Sequence, residues 1–114
     1  MDEELLANIR MFWKSAGLVY NAKDYTSATT LYFKCLFVLL DLIILRKKKI
    51  TPKDHTDRFR VLQADFPELY VSLDKIFPVY RDTYSMQIDK DKCDEVKKRV
   101  LRISQEQGIQ LDNK

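Results

Sequence analysis

Glycine and proline are scarce in this chain, with two and three copies among 114 residues. Folds rich in β-hairpins consume both residues in their turns, so the shortage points to helices. Histidine occurs once, as His55, and cysteine twice, as Cys35 and Cys93. One imidazole and two distant thiols, neither in a CxxC pair, do not make a four-ligand zinc site, and no metal or other cofactor is expected. Cys35 lies in an apolar run, where a buried free thiol is the ordinary expectation. Neither sign of charge dominates: the net charge of +3 permits an anionic partner without demanding one. The opening MDEELLANIR is acidic and amphipathic and lacks the regions of a signal peptide, so a cytoplasmic protein is expected.

A long uninterrupted apolar span is also missing. The greasiest stretch is YFKCLFVLLDLIILRKKK, from Tyr32 to Lys49. A membrane-spanning helix needs roughly 20 mostly apolar residues. The eleven-residue run from Cys35 to Leu45 is too short, and Lys34 and Asp41 interrupt the wider stretch. A charge at the bilayer centre would cost about 3 kcal/mol. A short helix that is apolar nearly all round is instead what the middle of a helical bundle requires. No membrane contact is expected.

What the chain does contain is enough apolar residue, 46%, for one modest core. Leu5, Ile9, Phe12, Trp13, Ala16 and Tyr20 recur at helical spacing and predict a first helix over about Asp2–Asn21. The turn NAKDYTS offers Asp24 or Thr26 as cap for a second helix ending near Lys48, where Arg46, Lys47 and Lys48 suit the helix dipole. So short a link predicts an antiparallel hairpin. Thr51-Pro52-Lys53-Asp54 reads as the start of a third helix, with Thr51 as cap, whose inner face is His55, Phe59, Leu62 and Phe66. Phe66-Pro67 divides it from a fourth, striped with Leu69, Leu73, Ile76, Phe77, Tyr80 and Tyr84 and kinked at Pro78. A fifth runs from about Asp91 to Gln107, with Cys93, Val96, Val100 and Ile103 inward and Gly108 closing it. The expectation is therefore an all-α, up-and-down bundle of four to five helices. It forms one domain over residues 1–107, with residues 108–114 frayed.

On the second helix Ser27, Thr30, Lys34 and Asp41 fall on one line, bordered by Phe37, Val38 and Leu45. Three readings fit: a narrow solvent strip, a self-complementary subunit interface, or a groove where Asp41 holds a cation such as Arg81. A buried Asp41 without a partner is excluded, because it would cost several kcal/mol. Tyr80 and Tyr84, one turn apart, could flank such a site, and an arginine's planar fork suits phosphate. The basic run Arg46–Lys49, with Lys53, reads as a solvated helix end or a second phosphate contact.

Ala16, Tyr20, Asp24-Tyr25, Ala28 and Tyr32, then His55 after its proline, then Arg81 and Tyr84 as R-x-x-Y, occur in order from about Phe12 to Val100. In this the chain resembles the HEPN domain, a small prokaryotic helical bundle often encoded beside a minimal nucleotidyltransferase. The resemblance implies a homodimer that engages a nucleotide, RNA or a nucleotidyltransferase partner in a toxin–antitoxin-like system. Many members look like metal-independent endoribonucleases carrying R-x4–6-H, with arginine on the scissile phosphate and histidine moving a proton. Arg81 matches that arginine, but Met86, Gln87 and Ile88 stand where the histidine would fall. Without that base much of the roughly 10²–10⁴-fold acid–base contribution is lost. The resemblance thus implies a binding module with Arg81, Tyr84, Tyr80, Lys34 and Asp41 as its candidate site. A ribonuclease using Arg81 is the first alternative. A helical-hairpin adaptor is the second, because Trp13-x-x-Ala16-Gly17-x-x-Tyr20 fits the opening of a tetratricopeptide repeat. No second copy follows 34 residues on, where Lys47 stands in place of Trp13.

Overall fold

The computed structural model describes residues 1–112. It is all-α: five helices, α1 (Asp2–Asn21), α2 (Tyr25–Lys48), α3 (His55–Asp65), α4 (Pro67–Asp82) and α5 (Lys90–Glu106), and no strand among the described residues. Asp24 rather than Thr26 caps α2, accepting from the Ser27 backbone N–H, and Asp89 does the same for α5 through Lys92. α2 ends on Lys49 in the left-handed conformation, φ 62°.

α1 and α2 form the antiparallel hairpin. Arg46 clasps Asp2 at one end of it, and Tyr20 meets Tyr25 at the other. Between them the Cys35 thiol donates to the Ile9 carbonyl and Trp13 stands edge-on to Tyr32. α2 is the hub, with twelve buried residues that take up all of its circumference except the strip of Ser27, Thr30, Lys34, Val38, Asp41 and Leu45. By length and composition alone it could cross a membrane, but 67% of its most apolar window is buried inside the bundle. α1, α3, α4 and α5 do the burying.

α3 does not start where Thr51-Pro52 suggests. Asp54 is the cap and accepts from the Asp57 N–H, while the Asp57 carboxylate accepts from the Lys53 N–H. This reciprocal arrangement satisfies two backbone donors, against one for a threonine cap, and leaves Thr51-Pro52-Lys53 as a non-helical link. The link changes the topology. Phe37 meets His55, Asp41 meets Arg58 and Lys48 meets Asp65, so α3 runs in the same sense as α2 instead of reversing. From Lys48 back to the level of Phe37 is about 16 Å of helix, and the six residues Lys49–Asp54 can span at most about 20 Å. The connection fits.

α4 then returns against both helices, with Tyr80 on Phe33 and Phe37, and Tyr70 on Phe59. Pro78 lies inside α4 without ending it. α5 seals the remaining side of α2 through Cys93, Val96, Val100 and Ile103. Beyond Gly108, with φ 67°, the chain tucks in where fraying was expected: Ile109 and Leu111 are each 7% exposed, and Arg10 Nε donates to the Gln110 carbonyl. Asn113 and Lys114, the end of that expected tail, lie outside the described residues.

Candidate functional site

Asp41 is answered by Arg58, not by Arg81. The Arg58 Nε donates to Asp41 Oδ1 at 2.8 Å and Nη2 donates to Oδ2 at 3.0 Å, a bidentate pair with both side chains largely buried. The guanidinium also lies over the Phe37 ring, 5.0 Å from its centre. Planar, always charged and able to stack, arginine tolerates this burial far better than lysine would. Arg58 shares its inward register with Val61 and Leu62, one turn on, and that spacing carried the signal. Phe59 and Phe66 are only half-buried and His55 is exposed, so the inner face of α3 is rotated from the one expected.

The third arm of Arg58 reaches His55. Its Nη1 lies 2.7 Å from Nδ1 of the imidazole. Guanidinium has donors only, so Nδ1 must be the acceptor. A neutral ring that accepts at Nδ1 carries its proton on Nε2, so the Asp41–Arg58–His55 chain fixes the tautomer. One face of the ring is covered by Phe37 at 4.6 Å, Tyr80 at 5.6 Å and Phe77 at 5.7 Å between centres. This partial burial, then the Arg58 cation, lowers the histidine pKa below its usual value; Lys34 acts in the same direction, while Asp41 and Asp54 oppose it.

Around His55 the structure gathers four of the five candidate residues. Lys34, one turn before Phe37 on α2, is exposed and close enough for its charge to act on the imidazole. The Tyr80 ring contacts Phe33, Phe37 and Phe77, and its hydroxyl lies 3.1 Å from that of Tyr84. The hydrogen bond with Tyr84, followed by burial, raises the Tyr80 pKa to about 12. Tyr84 lies beyond the end of α4 in the following turn, edge-on to Tyr80 and 78% exposed, so it is not part of a core stripe. Arg81 is the candidate left out. It is exposed and forms no ion pair among the described residues, with Asp82 or any other carboxylate. Phe37, expected at an open border of the polar line, is 6% exposed beneath α3 and α4.

The other candidate surfaces are already occupied. Arg46 holds Asp2 with two hydrogen bonds, Lys48 pairs with Asp65 at 3.4 Å, and Lys49 donates to the Arg46 carbonyl. The basic run is thus mostly matched within the chain. A cleft of about 680 Å³ beside it, between Ile43, Phe66, Leu69 and Ile103, is rimmed by both signs of charge. Both cysteines are buried and free, and burial pushes the Cys35 thiol up to about 12, far from a reactive thiolate. No cluster of three metal-ligating side chains occurs among the described residues.

The platform formed by Lys34, His55, Tyr80 and Tyr84 therefore rests on a buried, self-neutralised ion pair and offers mainly hydrogen-bond donors and an open aromatic ring. With Nδ1 engaged and Nε2 protonated, neutral His55 presents a donor and no free lone pair. It is equipped to hold an oxygen, not to remove a proton. Comparison with family models, with curated proteins and with solved structures gives no match for this chain.

Protonating His55 would set two donors against each other and cost the Arg58 contact. Because the folded pKa lies below the unfolded value of about 6.5, the unfolded chain takes up the proton first. Stability is then full above about pH 6.5, falls as the pH drops towards the folded pKa, and levels below it. Urea midpoints of the wild type minus those of His55→Gln, measured across that window, are expected to show this fall; a flat difference contradicts the geometry.

Proposed function

We propose that the protein is a HEPN-type helical module that acts by binding rather than catalysis, recognising a phosphate-bearing ligand, nucleotide or RNA, on the α2–α3–α4 platform. The observation that carries this reading is the outward set of groups. Asp41 neutralises Arg58, which leaves the Lys34 ammonium, the His55 Nε2–H and the paired tyrosine hydroxyls to face an incoming oxygen-rich group. Tyr84 supplies an exposed ring on which a base can stack. In this reading the module is cytoplasmic and dimeric and works beside a nucleotidyltransferase partner, as the HEPN resemblance implies. The ribonuclease alternative loses support because His55 has no free lone pair and Arg81 makes no hydrogen bond to its cluster.

Fluorescence anisotropy with a labelled single-stranded RNA and with a labelled mononucleotide tests the reading. Tyr84→Ala is expected to weaken RNA binding by about tenfold, as the loss of one stacked base does. Lys34→Ala is expected to weaken both ligands and to flatten the salt dependence. Binding of neither ligand, or binding unchanged in both variants, would refute the site. RNA cleavage that disappears in Arg81→Ala would replace this reading with the ribonuclease.

A further inference from the structure

Three arginines of this chain grip a carboxylate with the same edge of the guanidinium. Arg46 holds Asp2, Arg58 holds Asp41 and Arg60 holds Asp57, each through Nε and Nη2 side by side. Arg99 on α5 is placed differently. Its Nη1 donates to both the backbone carbonyl and the hydroxyl of Ser72 on α4, at 3.3 and 2.9 Å, which pins the far end of the group. The Nε–Nη2 edge is left over. Nε is buried, and among the described residues it is the one buried side-chain donor or acceptor without a hydrogen-bond partner. Nη2 has no partner among the described residues either, but it is not enclosed.

Folded chains ordinarily satisfy their buried donors, those on charged groups above all. The obvious internal partner is Glu95, four residues earlier and in the order that favours an ion pair on a helix. Its charge reaches Arg99, but no ion pair forms between them. The surroundings are cationic instead. Lys98 and Arg102, both exposed and neither in an ion pair among the described residues, share with Glu95 and Arg99 a depression of about 340 Å³. Three cations against one carboxylate leave two positive charges unmatched. Burial and then the Arg102 charge push the Arg99 pKa below its ordinary value, with Glu95 opposing. An arginine keeps its proton through this, so the crowding is borne as repulsion. The basic end of α2 is the contrast, because Asp2 and Asp65 match Arg46 and Lys48 there.

We propose that this α4–α5 depression is an oxyanion site, in which Arg99 takes a phosphate dianion on its Nε–Nη2 edge while Lys98 and Arg102 supply the surrounding charge. Nη2 is the accessible tip, and an oxyanion seated there gives Nε the partner it lacks within the chain. The dianion is inorganic phosphate or the terminal phosphate of a monoester, whose charge balances the two unmatched cations; a backbone diester carries only one. Ser72 is the positioning residue, since by holding Nη1 it fixes the fork before the ligand arrives. The site shares no residue with the Lys34–His55 platform and does not depend on it.

The test is a ¹⁵N–¹H spectrum of the arginine Nε–H groups of the full chain, titrated with inorganic phosphate while chloride holds the ionic strength fixed. The Arg99 signal is expected to shift saturably, with a dissociation constant on the order of 1 mM. Arg99→Lys keeps the charge and loses the fork, and should weaken binding, read on the backbone amides of residues 98–102, by about tenfold. Lys98→Gln and Arg102→Gln, at exposed positions that leave the fold intact, should each weaken it by about threefold. Glu95→Gln should leave the phosphate-free Arg99 signal where it is and tighten binding. A 5′-mononucleotide should move the same signals as phosphate, and single-stranded RNA without terminal phosphates should not. The proposal is overturned by the absence of a shift with phosphate, or by binding that Arg99→Lys leaves unchanged. It is equally overturned if Glu95→Gln alone moves the Arg99 signal, or if RNA without terminal phosphates acts as strongly as phosphate. None of these readouts involves His55, so failure here and failure of the platform are told apart.

Discussion

Asp41→Ala is expected to cost about 3 kcal/mol of folding stability, at the lower end of what breaking a buried ion pair costs. The cost comes from what remains. Arg58 is buried over Phe37, and without Asp41 it keeps only the His55 contact for a charge withdrawn from water. Replacing both partners with apolar residues, in Asp41→Leu/Arg58→Met, is expected to be far milder than either single change, because no charge is then stranded. Urea unfolding of the two single variants and the double variant measures this directly. Additive losses would mean that the pair is not coupled and that Asp41 faces water. The same substitution should loosen His55, so the single variant tests the platform as well as the fold.

Phe33→Ala should be at least as damaging, at about 3–5 kcal/mol. Phe33 is fully buried, and its ring contacts Phe37 on its own helix and Tyr80 on α4. Domains of this size have about 5–15 kcal/mol in total, so the variant is expected to unfold well below the wild-type temperature. A thermal melt followed by circular dichroism checks it; a shift of only a few degrees would mean that α4 closes over the gap. The position also ties site to core, since the ring that supports Tyr80, and through it Tyr84, comes from the central helix.

The local part of this architecture was legible in the sequence. Helical spacing from Leu5 to Tyr20 placed α1, the apolar run placed α2 at the centre, and Pro67 marked where α4 begins. Such signals live within one or two turns. The link before α3 was misjudged because Thr51 and Asp54 are both competent caps, and only the return contact from Asp57 to Lys53 decides between them. The partner of Asp41 was hidden for a different reason. Arg58 sits in register with Val61 and Leu62, but an arginine among apolar residues is ordinarily read as pointing outward, and the pairing exists only once α3 runs beside α2. Lys34, Tyr80 and Asp41 were singled out from their spacing and do converge on one place. What organises them, the Asp41–Arg58 pair that fixes the guanidinium beside His55 one turn before it, depends on tertiary structure. The aliphatic pair Ile109 and Leu111 after Gly108 was the overlooked sign that the tail packs.

The chain has a single histidine, so its imidazole can be observed without ambiguity. A ¹⁵N–¹H correlation spectrum of that ring at neutral pH, recorded before and during titration with single-stranded RNA, tests the binding platform most directly. The expected result is one fixed tautomer with the proton on Nε2, shifting progressively as RNA is added, and a release from that fixed state in Asp41→Ala. A ring protonated on Nδ1, or a spectrum that stays still while the RNA binds, would contradict the account.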